Sequence, residues 1–520
     1  MTVSGVRLSD LLIAMSLVTD LGFGQPSEHM LRSARIGMRL GERLGLDTPQ
    51  MATLYDVNLL TYVGCMTYGN EAARMFGDDI DFRANAVRTD LAGLPAMKLM
   101  LRRTGSGGSP IDRAVQTTAF MITGGRAVVE QMATHCSAAG AFADRLGLGT
   151  DVRTGIEQAY ARWDGRGVPD TLSGPELSLA ARISHVAEAC ELFERTGGVD
   201  AAVDMVNSRS GTHFDPEIAK AAATDPESLF DGIDQDTVEE VVAAEPVERP
   251  PLSDDELDSA LAAIGDFCDM RCPFFTGHAP GTADLVAAAG RQLHMPAEQA
   301  LLMYRAALVH DVGRFGVDAT VWARPGRLSA AQRERMRLHV YYVERIFDRP
   351  AALRRIGLLA ATHHERMDGS GYHRGVGGAM LSAQARLLAV ADAYHAMLQP
   401  RPHRAALTEI EARQQLQTEA SAGRLDPLSV DAVLGAVGHH LRRVHPEGPK
   451  GLTQREIEVL GLLAQGLPNK SIAKHLGISP KTVGNHVERV YTKLDVTNRA
   501  AAAMAAMQYG LVGSSTEMGG

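Results

Sequence analysis

The 520-residue sequence predicts an all-α protein, in which two similar helical bundles precede a small four-helix module. Aromatic residues make up only 5% of the chain, whereas alanine and leucine fill the runs between glycines at helical spacing. This composition favours packed helices, because β-sheets are enriched in β-branched and aromatic side chains. The other two observations are an internal repeat that spans most of the chain and a set of helix-capping signals near its C-terminus.

Two Pro-containing segments divide the chain. Residues 243–254 (AAEPVERPPLSD) and 445–451 (HPEGPKG) are typical of linkers, since proline and glycine interrupt helices. We therefore expect domains at 1–242, 255–444 and 449–513. No apolar run reaches the roughly 18–20 residues that cross a bilayer, and a signal-peptide pattern is absent. With five dispersed cysteines, these features predict a cytoplasmic protein without membrane contact.

The first two domains repeat one another. Residues shared at an offset of 249, and further along at an offset of 204, are His29/His278, Gly64/Gly313 and Asp164-Gly165/Asp368-Gly369. The change of offset places about 45 additional residues in the first copy, in the region 66–130. Glycines shared at a fixed offset are hard to explain by composition, so we interpret the repeat as a duplication.

The second copy concentrates the residue types that bind metals. Nine of the 18 histidines of the chain lie between His278 and His403. Seven candidate ligands lie on segments of helical periodicity: His278, His310, Asp311, His339, His363, His364 and Asp392. Imidazole and carboxylate are the ligands that Fe, Mn and Zn favour, and a carboxylate can bridge two metals. The pattern therefore predicts a metal site inside a helical bundle.

The surroundings of these ligands include HDVGRFGV (310–317), HHERMDGSGYHRG (363–375) and ARLLAVADAYHAM (385–397). With these motifs, residues 274–440 resemble the HD-GYP domains, a helical branch of the HD phosphohydrolases. The resemblance implies that the seven ligands bind a centre of two or three metals, usually iron or manganese. It also implies that a metal-activated hydroxide attacks the phosphodiester of cyclic di-GMP.

The same resemblance assigns further roles. Asp311 and Arg314 are the candidate catalytic residues, and the candidate substrate contacts are Arg314, Tyr372, Arg401 and Arg404. Three positions depart from the family pattern. Arg314 replaces a lysine, which exchanges a point charge for a planar fork. His373 replaces the proline of the GYP tripeptide, and Phe274 replaces a glutamate found in some members, so we expect two metals, Fe or Mn.

The first copy lacks most of these ligands. The residues at the equivalent positions are His29, Thr61, Tyr62, His135, Ala159, Tyr160 and Glu188. Threonine and tyrosine are poor ligands and alanine cannot bind a metal. We therefore expect no catalysis in this copy. Two roles stay open for it, namely sensing a ligand and packing against the second copy.

The C-terminal module is basic. Between residues 450 and 513, eight basic and four acidic side chains give a net charge of +4, and the rest of the chain carries −14. This asymmetry indicates that the module meets a polyanion. Thr453 with Glu456 forms a capping-box pattern, and Ser479 with Pro480 marks the start of a later helix. Two short helices around Gly477 predict a helix-turn-helix, whose second helix enters the major groove.

The segment LTQREIEVLGLLAQGLPNKSIAKHLGISPKTVGNHVERVYTKLDVTNRAAA resembles the LuxR-type DNA-binding domain over the whole module. The resemblance and the polar face of the recognition helix predict DNA contacts at Asn469, Lys470, Lys481, Thr482, Asn485, His486, Arg489 and Lys493. The resemblance also implies a homodimer, since the last helix of such domains often supports dimerisation.

Two functions fit these observations. In the first, the protein is a DNA-binding transcriptional regulator with a working metal-dependent phosphodiesterase, whose substrate is cyclic di-GMP or a related nucleotide. In the second, it is a transcription factor that senses a nucleotide at a metal site without turnover. The complete ligand set favours the first function, and the changes at Arg314 and His373 favour the second. Double-stranded DNA and a cyclic dinucleotide or other phosphate ester are the partners expected in both.

Overall fold

The structure, a computed structural model, describes residues 5–67, 69–90, 92–105, 109–123, 126–438, 449–496 and 498–508. These residues form helices joined by turns, and the described part of the chain contains isolated bridges but no strand. The all-α prediction is therefore confirmed. The chain forms two compact units that divide after residue 438. None of the helices in the described ranges is long and apolar enough to cross a membrane.

The first copy is a bundle whose centre is built from long helices. Its helices are α1 (Leu8–Gly22), α2 (His29–Arg43), α3 (Thr48–Leu60), α4 (Gly69–Phe76), α5 (Asp79–Ala86), α6 (Gly93–Arg103), α7 (Pro110–Thr123), α8 (Arg126–Arg145), α9 (Thr150–Glu157), α10 (Leu179–Arg209), α11 (Pro216–Ala223), α12 (Pro226–Phe230) and α13 (Thr237–Ala243). Helices α2, α3 and α10 pack together. The additional residues predicted near 66–130 form α4 to α7 and the start of α8.

The second copy follows in the same compact unit. Its helices are α14 (Asp254–Asp269), α15 (His278–Gln292), α16 (Ala297–Val309), α17 (Ala319–Trp322), α18 (Ala330–Asp348), α19 (Arg354–Ala360), α20 (Ala383–Leu398), α21 (Glu409–Ser421) and α22 (Pro427–Ala436). Short 3-10 turns cover Val63–Met66, Gly174–Glu176, Pro273–Phe275, Val312–Gly316, Ala351–Leu353, Gly378–Met380 and Pro449–Gly451. Ser253 starts α14, because its hydroxyl accepts the amide of Glu256 and the glutamate side chain accepts from the serine amide. Helix α15 packs between α16 and α20.

Equivalent glycines lie at equivalent backbone crossings in the two copies. A Cβ atom on Gly64 would lie 2.1 Å from the carbonyl oxygen of His135, and one on Gly313 would lie 2.0 Å from that of His339. The same relation holds at a second pair of positions, Gly167 against the Tyr160 carbonyl and Gly371 against the His364 carbonyl. Only glycine permits such close approach. The repeated crossings support the duplication that the sequence predicts.

A buried ion cluster joins the insertion of the first copy to the second copy. Asp79 on α5 is fully buried, and Arg271 donates to both of its carboxylate oxygens at 2.6 and 3.2 Å. Arg83 donates to the same carboxylate at 2.6 Å, and the Ala319 amide at 2.8 Å. Arg271 also donates to the Val317 carbonyl at 2.9 Å. Asp79 of the first copy therefore caps the first residue of α17 in the second copy.

The C-terminal unit has its own core. Its helices are α23 (Gln454–Ala464), α24 (Asn469–Leu476), α25 (Pro480–Leu494) and α26 (Arg499–Gln508). Its buried core includes Val459, Leu460, Leu463, Ile472, Val483 and Val490. Both predicted caps are present, since the Thr453 hydroxyl accepts the Glu456 amide and the Ser479 hydroxyl accepts the Thr482 amide. Gly477 ends α24 with a φ of 65°, as a left-handed cap requires.

One of the two predicted linkers lies wholly within the described residues. Residues 243–254 run from the end of α13 to the start of α14, and the Leu252 amide donates to the Val6 carbonyl at 2.8 Å. This segment is therefore attached to the first copy at that point. Most of the other linker, 445–451, lies outside the described residues. The domain boundaries remain predictions.

Candidate metal centre

The seven predicted metal ligands come from separate elements of the second copy and meet in its interior. They lie at the start of α15 (His278), after α16 (His310 and Asp311), on α18 (His339), after α19 (His363 and His364) and on α20 (Asp392). Six of them are at most 3% exposed, and His364 is half-buried. The packing of α15 against α16 and α20 thus turns residues far apart in sequence into one cluster.

Asp311 lies at the centre of this cluster. Its Oδ2 atom is 2.9 Å from His310 Nε2 and 3.3 Å from His278 Nε2. Its Oδ1 atom is 3.6 Å from the Nε2 atoms of both His339 and His363. The two oxygens therefore face two separate groups of imidazoles. A carboxylate that bridges two metal ions needs this arrangement.

A second carboxylate also spans both groups. The Oδ1 atom of Asp392 is 3.1 Å from His278 Nε2 and 3.7 Å from His310 Nε2. Its Oδ2 atom is 3.8 Å from His364 Nδ1. Within each of two sets, His278/His310/Asp311 and His339/His363/His364, the candidate ligand atoms lie within 4.8 Å of one another. The centre therefore offers two adjacent clusters of donors.

Backbone carbonyls orient the imidazoles. In three cases Nδ1 donates to the carbonyl three residues earlier, at 2.6 to 2.7 Å: His310 to Ala307, His339 to Met336 and His363 to Ala360. A proton held on Nδ1 leaves Nε2 with a lone pair when the ring is neutral. All three Nε2 atoms face the centre of the cluster, so the second copy presents them as ligands.

The ionisation states of the cluster are compatible with metal binding. Burial lowers the pKa of His339 to about 4 and that of His363 to about 3, so both rings are neutral. Burial alone would raise the pKa of Asp311, but the charges of Arg314 and His310 hold it well below its usual value. Although buried, both Asp311 oxygens lack a hydrogen bond of good geometry within the described residues. The neutral imidazoles of His339 and His363, beside an ionised carboxylate, are a donor set that fits divalent transition metals.

Arg314 is packed against the bridging carboxylate. Its Nη2 atom forms an ion pair with Asp311. Its guanidinium carbon lies 3.9 Å from the ring centroid of Phe275 and 5.6 Å from that of Trp322. The side chain is 6% exposed, and its Nε and Nη1 atoms have no hydrogen-bond partner among the described residues. Arg314 therefore contacts Asp311 through Nη2, while its other two nitrogens remain without a hydrogen bond among the described residues.

The two arginines after the last ligand differ from one another. Arg401 donates to the Phe274 carbonyl and, at 3.1 Å, to the Gln399 side chain. Burial, with the nearby charge of Arg314, lowers its pKa to about 10. Arg404 instead donates at 2.6 to 3.2 Å to the carbonyls of Ala396, Met397, Gln399 and Ala405. Its guanidinium thus ties down the end of α20, and its contact with substrate remains a prediction.

Tyr372 covers one side of the ligands. Its ring centroid is 4.7 Å from that of His364 and 6.2 Å from that of His339. The next residue, His373, stands where the family has proline, and its Nε2 atom lies 2.9 Å from a carboxylate oxygen of Glu344 on α18. This contact anchors the loop at the position where the stiffening proline is missing.

Sequence reasoning missed two residues of the centre. His395 Nδ1 lies 3.1 Å from His278 Nδ1, and Trp322 lies beside Arg314. His395 follows Asp392 by three residues on one helix, and this spacing places both on the same face. That signal would have identified His395. Trp322 lies on a separate short helix and carries no comparable signal.

Five of the seven equivalent residues of the first copy also lie close together, around a cavity. Tyr62, His135, Ala159, Tyr160 and Glu188 line a cavity. Thr61, the residue that follows α3, donates its hydroxyl to the Val57 carbonyl of that helix at 2.6 Å. His29 forms a close ion pair with Glu191 and lies 3.6 Å from Glu188. The first copy thus keeps His29, His135 and Glu188 but lacks the His-Asp pair and the double His of the second copy.

The helix-turn-helix presents a polar face. On α25, Lys481, Asn485 and Arg489 are exposed and Thr482 and His486 are half-buried, whereas Val483, Val487 and Val490 are buried. At the start of α24, Lys470 is exposed and Asn469 half-buried. Lys493 donates to Glu456 at 2.8 Å and to the Gly451 carbonyl at 2.6 Å, inside the module. Its predicted contact with DNA, like those of the other residues, remains a prediction.

Comparisons with known families match both units. The HD domain family matches residues 129–218 and 263–428, and the LuxR family of bacterial regulatory proteins matches residues 450–506. The first HD match lies in the degenerate copy and the second covers the predicted metal ligands. Both matches agree with the resemblances found in the sequence.

Relatives with assigned activities share the HD region. The chain is 30% identical over 407 residues to 3'3'-cGAMP-specific phosphodiesterase 3 of Vibrio cholerae, covering 77% of this chain and 88% of the relative. It is 35% identical over 180 residues to the cyclic di-GMP phosphodiesterase response regulator RpfG of Xanthomonas campestris, covering 34% of this chain and 46% of the relative.

A solved structure matches the fold. The crystal structure of a cyclic GMP-AMP specific phosphodiesterase of Vibrio cholerae aligns with a TM-score of 0.57 at 26% identity. The alignment covers 83% of this chain and 98% of that chain, so it extends over both copies. The chain therefore belongs to the HD-domain phosphohydrolases, in the branch of the HD-GYP cyclic-dinucleotide phosphodiesterases, and it carries a C-terminal DNA-binding domain of the LuxR family.

Proposed function

We propose that this protein is a transcriptional regulator whose second copy hydrolyses a cyclic dinucleotide. The observation that carries the proposal is the position of Asp311 between two groups of imidazoles. The relatives named above act on 3'3'-cGAMP and on cyclic di-GMP, which share phosphodiester linkages and a guanine base. Either compound is a substrate of the proposed class.

The proposed cofactors are two divalent transition metals, Fe or Mn. His278, His310 and Asp311 would hold one ion, while His339, His363 and His364 would hold the other; Asp311 and Asp392 reach both groups. When bound, such a pair supplies an activated water and neutralises charge on the phosphoryl group. The nitrogen-rich donor set is softer than the all-oxygen sets that Mg and Ca prefer, and this supports the assignment.

The remaining roles belong to residues of the chain itself. We infer that Arg314 keeps Asp311 ionised and oriented, because it pairs with the carboxylate while its guanidinium packs against the rings of Phe275 and Trp322. Its Nε and Nη1 atoms, which have no hydrogen-bond partner among the described residues, would donate to a phosphate oxygen. Tyr372, whose ring lies against His364, offers a face for a nucleobase. Arg401 lies beside Phe275 and adds positive charge on the Phe274 side of the centre.

DNA binding is the output of the proposed regulator. The exposed stripe of α25 would enter the major groove, with Lys481, Asn485 and Arg489 nearest the bases or phosphates. The proposal includes a homodimer, because two helix-turn-helix modules on one duplex read two half-sites about one helical turn apart. Light scattering of the full chain, alone and with a duplex, tests the dimer.

The alternative function is sensing without turnover. It is supported by Arg314 and His373, which replace the lysine and proline of the family pattern, and by the Arg314–Asp311 ion pair. In this case the second copy binds metal and nucleotide, and occupancy alone acts on DNA binding. The two functions differ in one observable, the release of linear nucleotide.

The test combines metal analysis with hydrolysis of cyclic di-GMP and 3'3'-cGAMP by the full chain. Asp392→Asn removes a proposed ligand, and Glu188→Gln makes the matched change at the equivalent position of the first copy. We expect about two metals per chain in the wild type and in Glu188→Gln, with hydrolysis in both. Asp392→Asn should lose metal and activity together.

Three other results would be informative. Full metal content in Asp392→Asn would exclude this residue as a ligand. Loss of metal in Glu188→Gln alone would place the centre in the first copy and overturn the proposal. Bound metal and bound nucleotide without hydrolysis would establish the sensing function instead.

A further inference from the structure

The first copy contains a cavity of about 440 Å³ at the position of the lost metal centre. Five of the seven residues equivalent to the metal ligands line it: Tyr62, His135, Ala159, Tyr160 and Glu188. Sites for small organic molecules usually measure about 300 to 1,000 Å³. The cavity therefore has the size of a binding site. Alanine and tyrosine at the former ligand positions change the chemical character of its walls but leave the cavity open.

The walls of the cavity are mostly apolar. They come in large part from the inserted helices α4 to α8, which supply Phe76, Phe82, Met97, Met100, Phe120 and Met132. The rings of Phe76 and Phe82 stack with centroids 4.0 Å apart. Methionine side chains are flexible and adapt to ligands of different shape. The insertion that distinguishes this copy from the second one thus builds an apolar roof over the former metal site.

Several polar groups of the lining carry no charge. Burial lowers the pKa of His135 to about 3 and that of His185 to about 4, so both rings are neutral. Burial also raises the pKa of the Tyr160 phenol well above its usual value. Among the described residues of the lining, the one carboxylate is that of Glu188, which lies 3.6 Å from His29. These groups give the cavity polarity without an excess of negative charge.

The arginines of the lining differ in their partners. Arg162 is paired with Asp90 and, at 3.0 Å, with Asp164. In contrast, Arg209 lines the cavity without an ion pair among the described residues, and its guanidinium carbon lies 5.4 Å from the ring centroid of Phe193. Burial lowers the pKa of Arg209, yet arginine remains charged in proteins. The charges of Asp90 and Glu188 act on Arg209 from a distance, but no carboxylate among the described residues contacts its guanidinium. A partly buried cation without a contacting carboxylate, beside apolar walls, is a site for an anion.

We propose that the first copy binds an amphipathic organic anion, with its apolar body under α4 to α8 and its carboxylate or phosphate head on Arg209. The apolar body explains the aromatic and methionine walls, and the head group explains the unpaired guanidinium. A nucleotide fits this lining less well, because its polar base and ribose would lie against apolar side chains. Two other arginines of the lining, Arg83 and Arg162, are already paired with carboxylates. The site is separate from the metal centre of the second copy.

The test uses the full chain and two matched probes, decanoate and the neutral alcohol 1-decanol, in isothermal titration calorimetry. Decanoate should saturate one site per chain. Arg209→Gln should weaken decanoate binding about tenfold or more, as expected when a charge-assisted hydrogen bond is lost, and leave binding of decanol unchanged. Arg153→Gln, which alters an exposed ion pair of the same copy, should change neither. Equal decanoate affinity in wild type and Arg209→Gln would overturn the proposal.

Two further variants locate the probe. Met132→Trp adds volume to a half-buried wall residue and should reduce the affinity for both probes. Met97→Trp repeats the change at a more exposed wall position if the first variant does not fold. Asp392→Asn, in the second copy, should bind decanoate like the wild type. Loss of binding in Asp392→Asn would place the probe at the metal centre and overturn the proposal, as would unchanged binding in both tryptophan variants.

Discussion

Neutralising Asp79 tests how the two copies are held together. This carboxylate lies on α5 of the first copy, is fully buried and accepts hydrogen bonds from Arg271, Arg83 and the Ala319 amide. Asp79→Asn keeps the shape of the side chain but removes its charge. Arg271, which is fully buried as well, would then lack its counter-charge, and an amide group would face several N–H donors.

The expected cost follows from burial. Breaking a buried ion pair by removing one partner costs roughly 3–5 kcal/mol, whereas an exposed pair contributes about 0–1 kcal/mol. Asp81 lies on the same helix and pairs with Arg103 at the surface, so Asp81→Asn is the matched control. At roughly 2–4 °C per kcal/mol for domains of this size, Asp79→Asn should lower the melting temperature by about 6–20 °C. The control should change it by at most about 4 °C.

Scanning calorimetry of the full chain measures both effects, and its pH dependence adds a second test. Burial alone would raise the pKa of Asp79, but the charges of Arg271 and Arg83 hold it below the usual value. A carboxyl group with a depressed folded pKa contributes stability above its unfolded pKa of about 3.9, and this stability is lost as the pH falls toward the folded pKa. The difference in melting temperature between wild type and Asp79→Asn should therefore become smaller below about pH 4. Equal melting temperatures for Asp79→Asn and Asp81→Asn at neutral pH would refute the reasoning.

Three more predictions concern the first copy, the metal centre and the DNA-binding module. Burial lowers the pKa of His29, but two glutamates raise it to about 9, so its stabilising effect is full below pH 6.5 and lost as the pH rises through 9. The difference in melting temperature between wild type and His29→Gln should narrow over that range. Gly313→Ala would place a Cβ 2.0 Å from an α18 carbonyl and should reduce bound metal, whereas Gly326→Ala, with open space at its Cβ, should not. Lys481→Ala should weaken DNA binding in an anisotropy assay and reduce the slope of log affinity against log salt by about 1, and Lys493→Ala should change that slope less.

The sequence predicted which His and Asp side chains come together in the second copy, because a candidate metal site is recognisable from its residue types. Their role as metal ligands remains a prediction. A paired His-Asp at 310–311 and a double His at 363–364 are rare together, and each member must be buried near the others to bind a metal. Glycines at fixed offsets likewise recorded close backbone crossings, such as the one at Gly313. In these cases a local pattern and a tertiary contact have the same physical cause.

Other features could not be read from the sequence, because their partners are distant or ordinary. Asp79 and Arg271 are 192 residues apart and lie in different copies, and neither belongs to a motif. Arg404 matches a family position, yet here it binds backbone carbonyls at the end of α20. Lys493 similarly pairs with the buried Glu456. The role of a long cationic side chain depends on which acceptors come within reach, and that is decided by packing.

The two copies differ in what their centres require. In the second copy, Asp311 and Asp392 are buried close to His310, and the charges of Arg314 and His310 offset only part of the cost of burying two carboxylates. Bound metal ions would offset more of it, so metal binding would be coupled to stability. In the first copy, Tyr62 stands where Asp311 stands in the second, and the centre needs no cation to be stable. Because no buried cation is required there, the first copy can contain a largely apolar cavity at the same position. The two roles left open by the sequence, packing and sensing, are therefore compatible, since packing uses the Asp79 cluster and ligand binding would use the residues of the former metal site.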